Sequence, residues 1–138
     1  MIVAGRCHCG NIRFTLTRES NAPELAARAC TCSFCVKHGG VWTSDPRARL
    51  EVAIADERLV SRYSFGTRTA EFHICMQCGV VPVVTSRIDG VLYAVISVNA
   101  LEGIDPARVP RSPADFDGEG EDTRLARRKR NWIGQVTL

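Results

Sequence analysis

No stretch of this 138-residue chain approaches the roughly 18 consecutive apolar residues that a membrane-crossing helix needs. The opening "MIVAGRCHCG" also lacks a long apolar segment. Arg6 arrives too early for a signal peptide's hydrophobic core, so a cytoplasmic protein is expected. A net charge of only +3 gives no reason to expect a nucleic-acid or membrane partner. There is no long internal repeat; "CHCG" and "CTCS" look alike over too short a span to argue duplication. What remains is 45% hydrophobic and 24% charged, the balance of a soluble globular protein. We expect one domain over residues 1–138, and a chain of that length buries about 70% of its unfolded surface.

Seven cysteines stand out against this ordinary background. In a reducing compartment, and at an odd count, they do not form a disulfide framework. They fall into three tight clusters, "CHC" (Cys7, Cys9), "CTCSFC" (Cys30, Cys32, Cys35) and "CMQC" (Cys75, Cys78). A disulfide between positions i and i+2 is badly strained, and ordinary core cysteines would be scattered singly. Spacings of one and two residues instead aim several thiolates of one short loop at a single ion.

The elements around these clusters read as mainly β. "IVAGRC" and "NIRFTLTR" are two strands flanking the first cluster, with Ile12, Phe14 and Leu16 alternating. "CTCSFCVKHGG" is expected as a loop entering a short turn, and "RLEVAI" as a further strand after the turn at Asp45-Pro46. "LVSRYSF" and "TAEFHIC" form a hairpin that delivers Cys75. "VVPVVTS" and "VLYAVISV" form another around Asp89-Gly90, the second strand being the more apolar and so the more buried. Pro82 suggests that its own strand is an edge strand or bulged. Residues 104–122 carry Pro106, Pro110 and Pro113 and end in an acidic run over about 114–122, expected as loop. A C-terminal helix over about 123–133 follows, capped by Asp122 or Thr123 and stopped by Gly134.

A structural zinc site is closed by four protein ligands, whereas a catalytic one keeps three and an open position. Seven thiolates divide as four plus three. Cys75 and Cys78, followed by Gly79, form a knuckle, and Cys7 with Cys9, followed by Gly10, is the only other two-cysteine cluster to complete it. Cys30, Cys32 and Cys35 are then left as a compact three-thiolate site. A different partition, Cys7, Cys9, Cys30 and Cys32 against Cys35, Cys75 and Cys78, breaks up the clusters. His38, three residues after Cys35, is the candidate to close the open site or relay a proton; His73 could belong to either site, and His8 should point away.

Taken together, "GRCHCGNIRF", "CTCSFCVKHGG" and "CMQCG" resemble the family of glutathione-dependent formaldehyde-activating enzymes (the GFA/CENP-V family). Its pattern runs CxCG, CxCSxC, CxxCG, and the resemblance spans Gly5 to Gly79 with all seven cysteines in order. It implies a zinc-stabilised β-tent fold of several short antiparallel sheets with a C-terminal helix. It also implies two zinc ions per chain, a structural one on Cys7, Cys9, Cys75 and Cys78 and a catalytic one on Cys30, Cys32 and Cys35. Glutathione would be the cosubstrate and formaldehyde the aldehyde. Family members often carry Arg after the third cysteine of the middle cluster, where this chain has Val36 before Lys37.

Three thiolates make zinc a weak Lewis acid for water but a good seat for a fourth, soft thiolate. The thiolate so held stays nucleophilic toward an electrophilic carbon. The first functional reading is therefore a zinc-dependent carbon–sulfur lyase acting on a thiol–aldehyde adduct such as S-hydroxymethylglutathione. In that reading Lys37, or Arg6, Arg13 or Arg87, would hold substrate carboxylates. The alternative is a non-enzymatic zinc module for protein or nucleic acid, with both ions structural. Its one supporting feature is "RLARRKR", but five basic residues there meet five acidic ones in "DFDGEGED", leaving no net charge. A redox or zinc-storage role is more remote, since zinc-bound thiolates are poor redox sensors. Trp42 and Trp132 are expected to pack in the core.

Overall fold

In the computed structural model, which describes residues 1–138, strict alternation fixes the first hairpin. It is formed by β1 (Ile2–Arg6) and β2 (Ile12–Thr17), where Ile12, Phe14 and Leu16 all face inward. β3 (Ala27–Cys30) runs into a six-residue helix α1 (Ser33–His38), and β4 (Val41–Thr43) and β5 (Arg49–Ile54) follow. Two hairpins come next, β6 (Val60–Tyr63) with β7 (Glu71–Cys75), and β8 (Val83–Ile88) with β9 (Val91–Ser97). The chain finishes with β10 (Arg111–Ala114), α2 (Glu121–Asn131) and β11 (Gln135–Thr137). No helix is long and apolar enough to cross a membrane.

The strands make two sheets, ordered β1-β2-β5-β11 and β10-β3-β4-β9-β8-β7-β6. The mainly β fold with a C-terminal helix is therefore as expected, but the sheets are mixed. β10 lies parallel to β3 and β11 parallel to β5, because both end strands arrive from the far C-terminal segment and not through hairpins. Val3, Phe14, Leu16 and Leu50 of one sheet meet Val41, Val83, Ala94 and Ile96 of the other in the main core. The opposite face of the larger sheet carries Val84 and Val95, packed with Trp42, Phe72 and Trp132. This second apolar face becomes the floor of the site.

Four expectations change. β8 is buried at five of its six positions, whereas β9, equally interior to the sheet, is buried only from Ala94 to Ser97, its first residues Val91–Tyr93 lying beside the turn. Pro82 sits just before β8 and only lends its carbonyl to Ser97 N–H, at 2.9 Å, so the missing donor leaves no gap in the ladder. Within residues 104–122 the chain forms a 3₁₀ turn at Pro106–Arg108 and then β10, an edge strand where Pro113 is tolerated. α2 starts earlier than expected, at Glu121, with Gly120 as N-cap and no side-chain cap. Glu121 and Asp122 in its first turn and Arg128, Lys129 and Arg130 in its last complement the helix dipole instead.

Candidate functional site

The first cysteine cluster joins the two sheets. Cys7 follows β1 directly, Cys75 ends β7, and Cys9 and Cys78 sit in the turns after them. Both turns are closed alike: Gly10 N–H donates to Cys7 C=O at 3.1 Å, and Gly79 N–H to Cys75 C=O at 2.7 Å. The two glycines have φ of +84° and +81°, a region that a Cβ disfavours. The four sulfurs lie within 4.8 Å of one another. Cys9 Sγ is 3.8 Å from Cys7 Sγ and 3.5 Å from Cys75 Sγ. A tetrahedron with Zn–S bonds of about 2.3 Å has edges of about 3.8 Å, so the donor set fits zinc. Cys7 and Cys75 are fully buried against Ile12 and Val60. Burial pushes the Cys75 thiol up. Burial opposes ionisation of Cys78 too, but N–H groups of Cys9 and Val80 and neighbouring thiols bring it down to about 6.

The second cluster is built on β3 and α1. Cys30 ends β3, Cys32 is the N-cap of α1 with its Sγ accepting the Cys35 N–H at 3.4 Å, and Cys35 is buried on the helix. Their three sulfurs also lie within 4.8 Å of one another, and all seven cysteines are free thiols. A hydrogen bond from the Cys35 thiol brings Cys30 down to about 5, and the same pairing together with burial pushes Cys35 up. One ready thiolate beside two further thiols is a donor set suited to zinc. The grouping of sulfurs rules out the partition that mixes Cys7 and Cys9 with Cys30 and Cys32.

No histidine joins either cluster. His38, at the end of α1, is exposed, its ring against Phe34 at 4.4 Å between centroids. It does come near Cys35: a Cβ built on Gly40 would meet Trp42 Nε1 at 3.0 Å, His38 Cε1 at 3.1 Å and Cys35 Cβ at 3.2 Å. Burial lowers the pKa of His38. His73 is buried, its Nε2 paired with Thr85 Oγ1 at 2.7 Å, and it faces a separate cavity of about 350 Å³ that contains no cysteine. His8 is exposed and takes no part in the four-sulfur group.

A cavity of about 440 Å³ opens above Cys30, Cys32 and Cys35. Trp42, Phe72, Val84, Val95 and Trp132 form its apolar floor, and Phe65 and Phe116 stand on its walls. Four guanidinium groups reach it, from Arg28 on β3 and from Arg124, Arg127 and Arg128 on α2. These were missed in the sequence, where the basic run was balanced against the acidic one as a string. The signal was there in the i, i+3, i+4 spacing of 124, 127 and 128, which puts all three on one helix face. The basic residues singled out earlier are elsewhere. Lys37 is exposed on α1 and outside the cavity lining. Arg6 pairs with Glu102 at 2.9 Å, Arg13 Nε donates to Gly10 C=O at 2.9 Å, and Arg87 lines the His73 cavity. Both tryptophans are buried as expected, but on the cavity side of the larger sheet.

Comparison with known proteins places this architecture. The profile of the glutathione-dependent formaldehyde-activating enzyme family matches residues 2–110. A crystal structure of a Rhodobacter sphaeroides protein superposes with a TM-score of 0.58 and 31% sequence identity, over 79% of this chain and 99% of that one. The chain belongs to the glutathione-dependent formaldehyde-activating enzyme family.

Proposed function

We propose that this member of the formaldehyde-activating family is a zinc-dependent carbon–sulfur lyase, acting on a thiol–aldehyde adduct of the S-hydroxymethylglutathione kind. Cys7, Cys9, Cys75 and Cys78 hold one zinc as a brace between the sheets, and Cys30, Cys32 and Cys35 hold the other. Zinc at the second site supplies a seat for a substrate thiolate and keeps that sulfur nucleophilic. In the condensing direction a bond forms between the thiolate sulfur and the aldehyde carbon, and the carbonyl oxygen takes up a proton. In the reverse direction the hydroxyl gives up its proton as the carbon–sulfur bond breaks.

The protein's own groups prepare this step. The Cys35 N–H fixes the Cys32 sulfur in the first turn of α1, and the apolar floor lowers the local dielectric around the reacting carbon. His38, which comes near Cys35 without lining the cavity, is the proposed proton relay through water; its lowered pKa leaves the imidazole neutral and able to accept at pH 7. Seven free thiols suit a reducing, cytoplasmic setting.

The observation that carries the proposal is an asymmetry between the two clusters. Four sulfurs close on one another, while three open on a 440 Å³ cavity with no fourth protein donor. NMR exchange spectroscopy on glutathione and formaldehyde tests it. Zinc-loaded protein should speed interconversion of the free thiol and its hydroxymethyl adduct, and Cys32→Ser should not. No acceleration, with glutathione or with other small thiols and aldehydes, leaves the zinc module as the standing reading.

A further inference from the structure

A metal-bound thiolate is itself a nucleophile, so a site that brings a sulfur to an aldehyde carbon has to spare its own ligands. The three sulfurs of the open cluster differ from any incoming one in what touches them. The Cys32 sulfur accepts the Cys35 N–H at 3.4 Å. The Cys30 sulfur accepts the backbone N–H of Cys32 as well as the Cys35 thiol proton. No backbone N–H serves the Cys35 sulfur. The N–H that reaches it belongs to the indole of Trp42.

The fold prepares that last contact from several sides. β4 holds Trp42 between β3 and β9, opposite Arg28 and Ser97. His38 and Phe72 each meet its ring edge-on, at 6.0 Å between centroids. α1 ends at Gly39, with φ +72°, whose carbonyl accepts from Asn99 Nδ2 at 3.2 Å. The next N–H, that of Gly40, returns to Cys35 C=O at 2.8 Å. This turn lays Gly40 over the gap between the indole and the thiol. A Cβ at position 40 would stand 3.0 Å from Trp42 Nε1 and 3.2 Å from Cys35 Cβ. The glycine thus keeps open the space in which the indole nitrogen and the cysteine meet.

We propose that Trp42 is a positioning residue of the three-thiolate site: its indole N–H holds and damps the Cys35 sulfur, so that each cysteine carries an N–H donor and the substrate's sulfur alone is bare. The protective purpose rests on the lyase reading; the contact does not. An N–H bonded to a thiolate draws electron density from it and is lost when that sulfur bonds to carbon, so it slows reaction at the sulfur it touches. The cavity floor of Phe72, Val84 and Val95, by contrast, offers an incoming sulfur no N–H.

Two measurements on metal-loaded protein test the assignment. In cadmium-substituted wild-type protein the indole proton of Trp42 should show scalar coupling to the metal through the Cys35 sulfur, and that of Trp132 should show none; this arm needs no variant to fold. In zinc-loaded protein treated with iodoacetamide, Trp42→Phe keeps an aromatic ring and loses the N–H. It should speed alkylation of Cys35 about tenfold or more, the loss of one charge-assisted hydrogen bond, and leave Cys30 and Cys32 unchanged. Peptide mass spectrometry reads each site. A merely structural role for the ring would loosen the cluster and speed all three together. Absence of coupling at Trp42 overturns the proposal, as does alkylation that rises equally at the three cysteines or fails to rise at Cys35. Both expected results without catalysed exchange of glutathione and formaldehyde sink the lyase reading alone. Catalysed exchange with Cys35 indifferent to Trp42→Phe sinks this inference alone.

Discussion

Cys9 Sγ lies 3.5 Å from Cys75 Sγ, although 66 residues separate them. One belongs to the smaller sheet's first hairpin and the other to the end of β7 in the larger sheet, so this contact is a bolt between layers. Cys75→Ser is expected to unfold the domain, because zinc binding at a structural site is folding energy, on the order of 10 kcal/mol or more. Circular dichroism and thermal melts of the variant read this directly. A native spectrum and a cooperative melt near the wild-type temperature would refute it.

The three-sulfur site should behave differently. Cys32→Ser is expected to keep the fold and lower bound zinc from two ions per chain to one, with loss of exchange activity. Elemental analysis of metal per chain, beside a thermal melt, checks both halves of the statement.

Removing zinc exposes the unequal chemistry of the second cluster. Cys30 lies at about 5 and Cys35 above the ordinary thiol value of 9.0. A thiol lowered in this way is ionised at neutral pH and becomes protonated only as the pH falls through its own value, while a raised one stays protonated throughout. Iodoacetamide treatment of metal-free protein should therefore alkylate Cys30 at pH 7, progressively less from about pH 6 to 4, and leave Cys35 unmodified. Peptide mass spectrometry across a pH series reports each site.

Stability also depends on a buried ion pair outside both cysteine clusters. Arg18 Nε donates to Asp45 Oδ2 at 2.9 Å, with both side chains almost fully buried, and Asp45 Oδ1 also accepts the Arg47 N–H at 3.0 Å. Asp45→Ala strands a buried guanidinium and should cost about 3–5 kcal/mol, measurable by urea denaturation. Arg47→Ala, which removes only an exposed ion pair with Glu19, should cost less than about 1 kcal/mol.

What could be read from the sequence was local. Cysteine spacing and the glycines after each pair specified both sulfur clusters, because a knuckle is a property of four or five consecutive residues. Asp89-Gly90 likewise specified its hairpin: both residues have positive φ, at +51° and +79°. What escaped was set by distant partners. β10 is a strand only because β3 offers it a parallel edge, and nothing within Arg111–Ala114 announces it. The arginines of α2 looked like a solvated run because charge was summed along the chain. Their direction depends on helix phase and on Trp132 anchoring the helix end against the sheet.

The flanks of α2 give the far C-terminus a reach beyond its size. β10 is tied to β3 before the helix, and Ile133 bridges Ala94 before β11 joins β5 after it. The arginine row is thus stapled at each end to a different sheet and is presented without hinge freedom. Trimming Gln135 to Leu138, none of which touches the cavity, would release one staple and blur the spacing between Arg128 and the thiols. A tail of four residues therefore helps set how far the α2 arginines stand from the sulfurs.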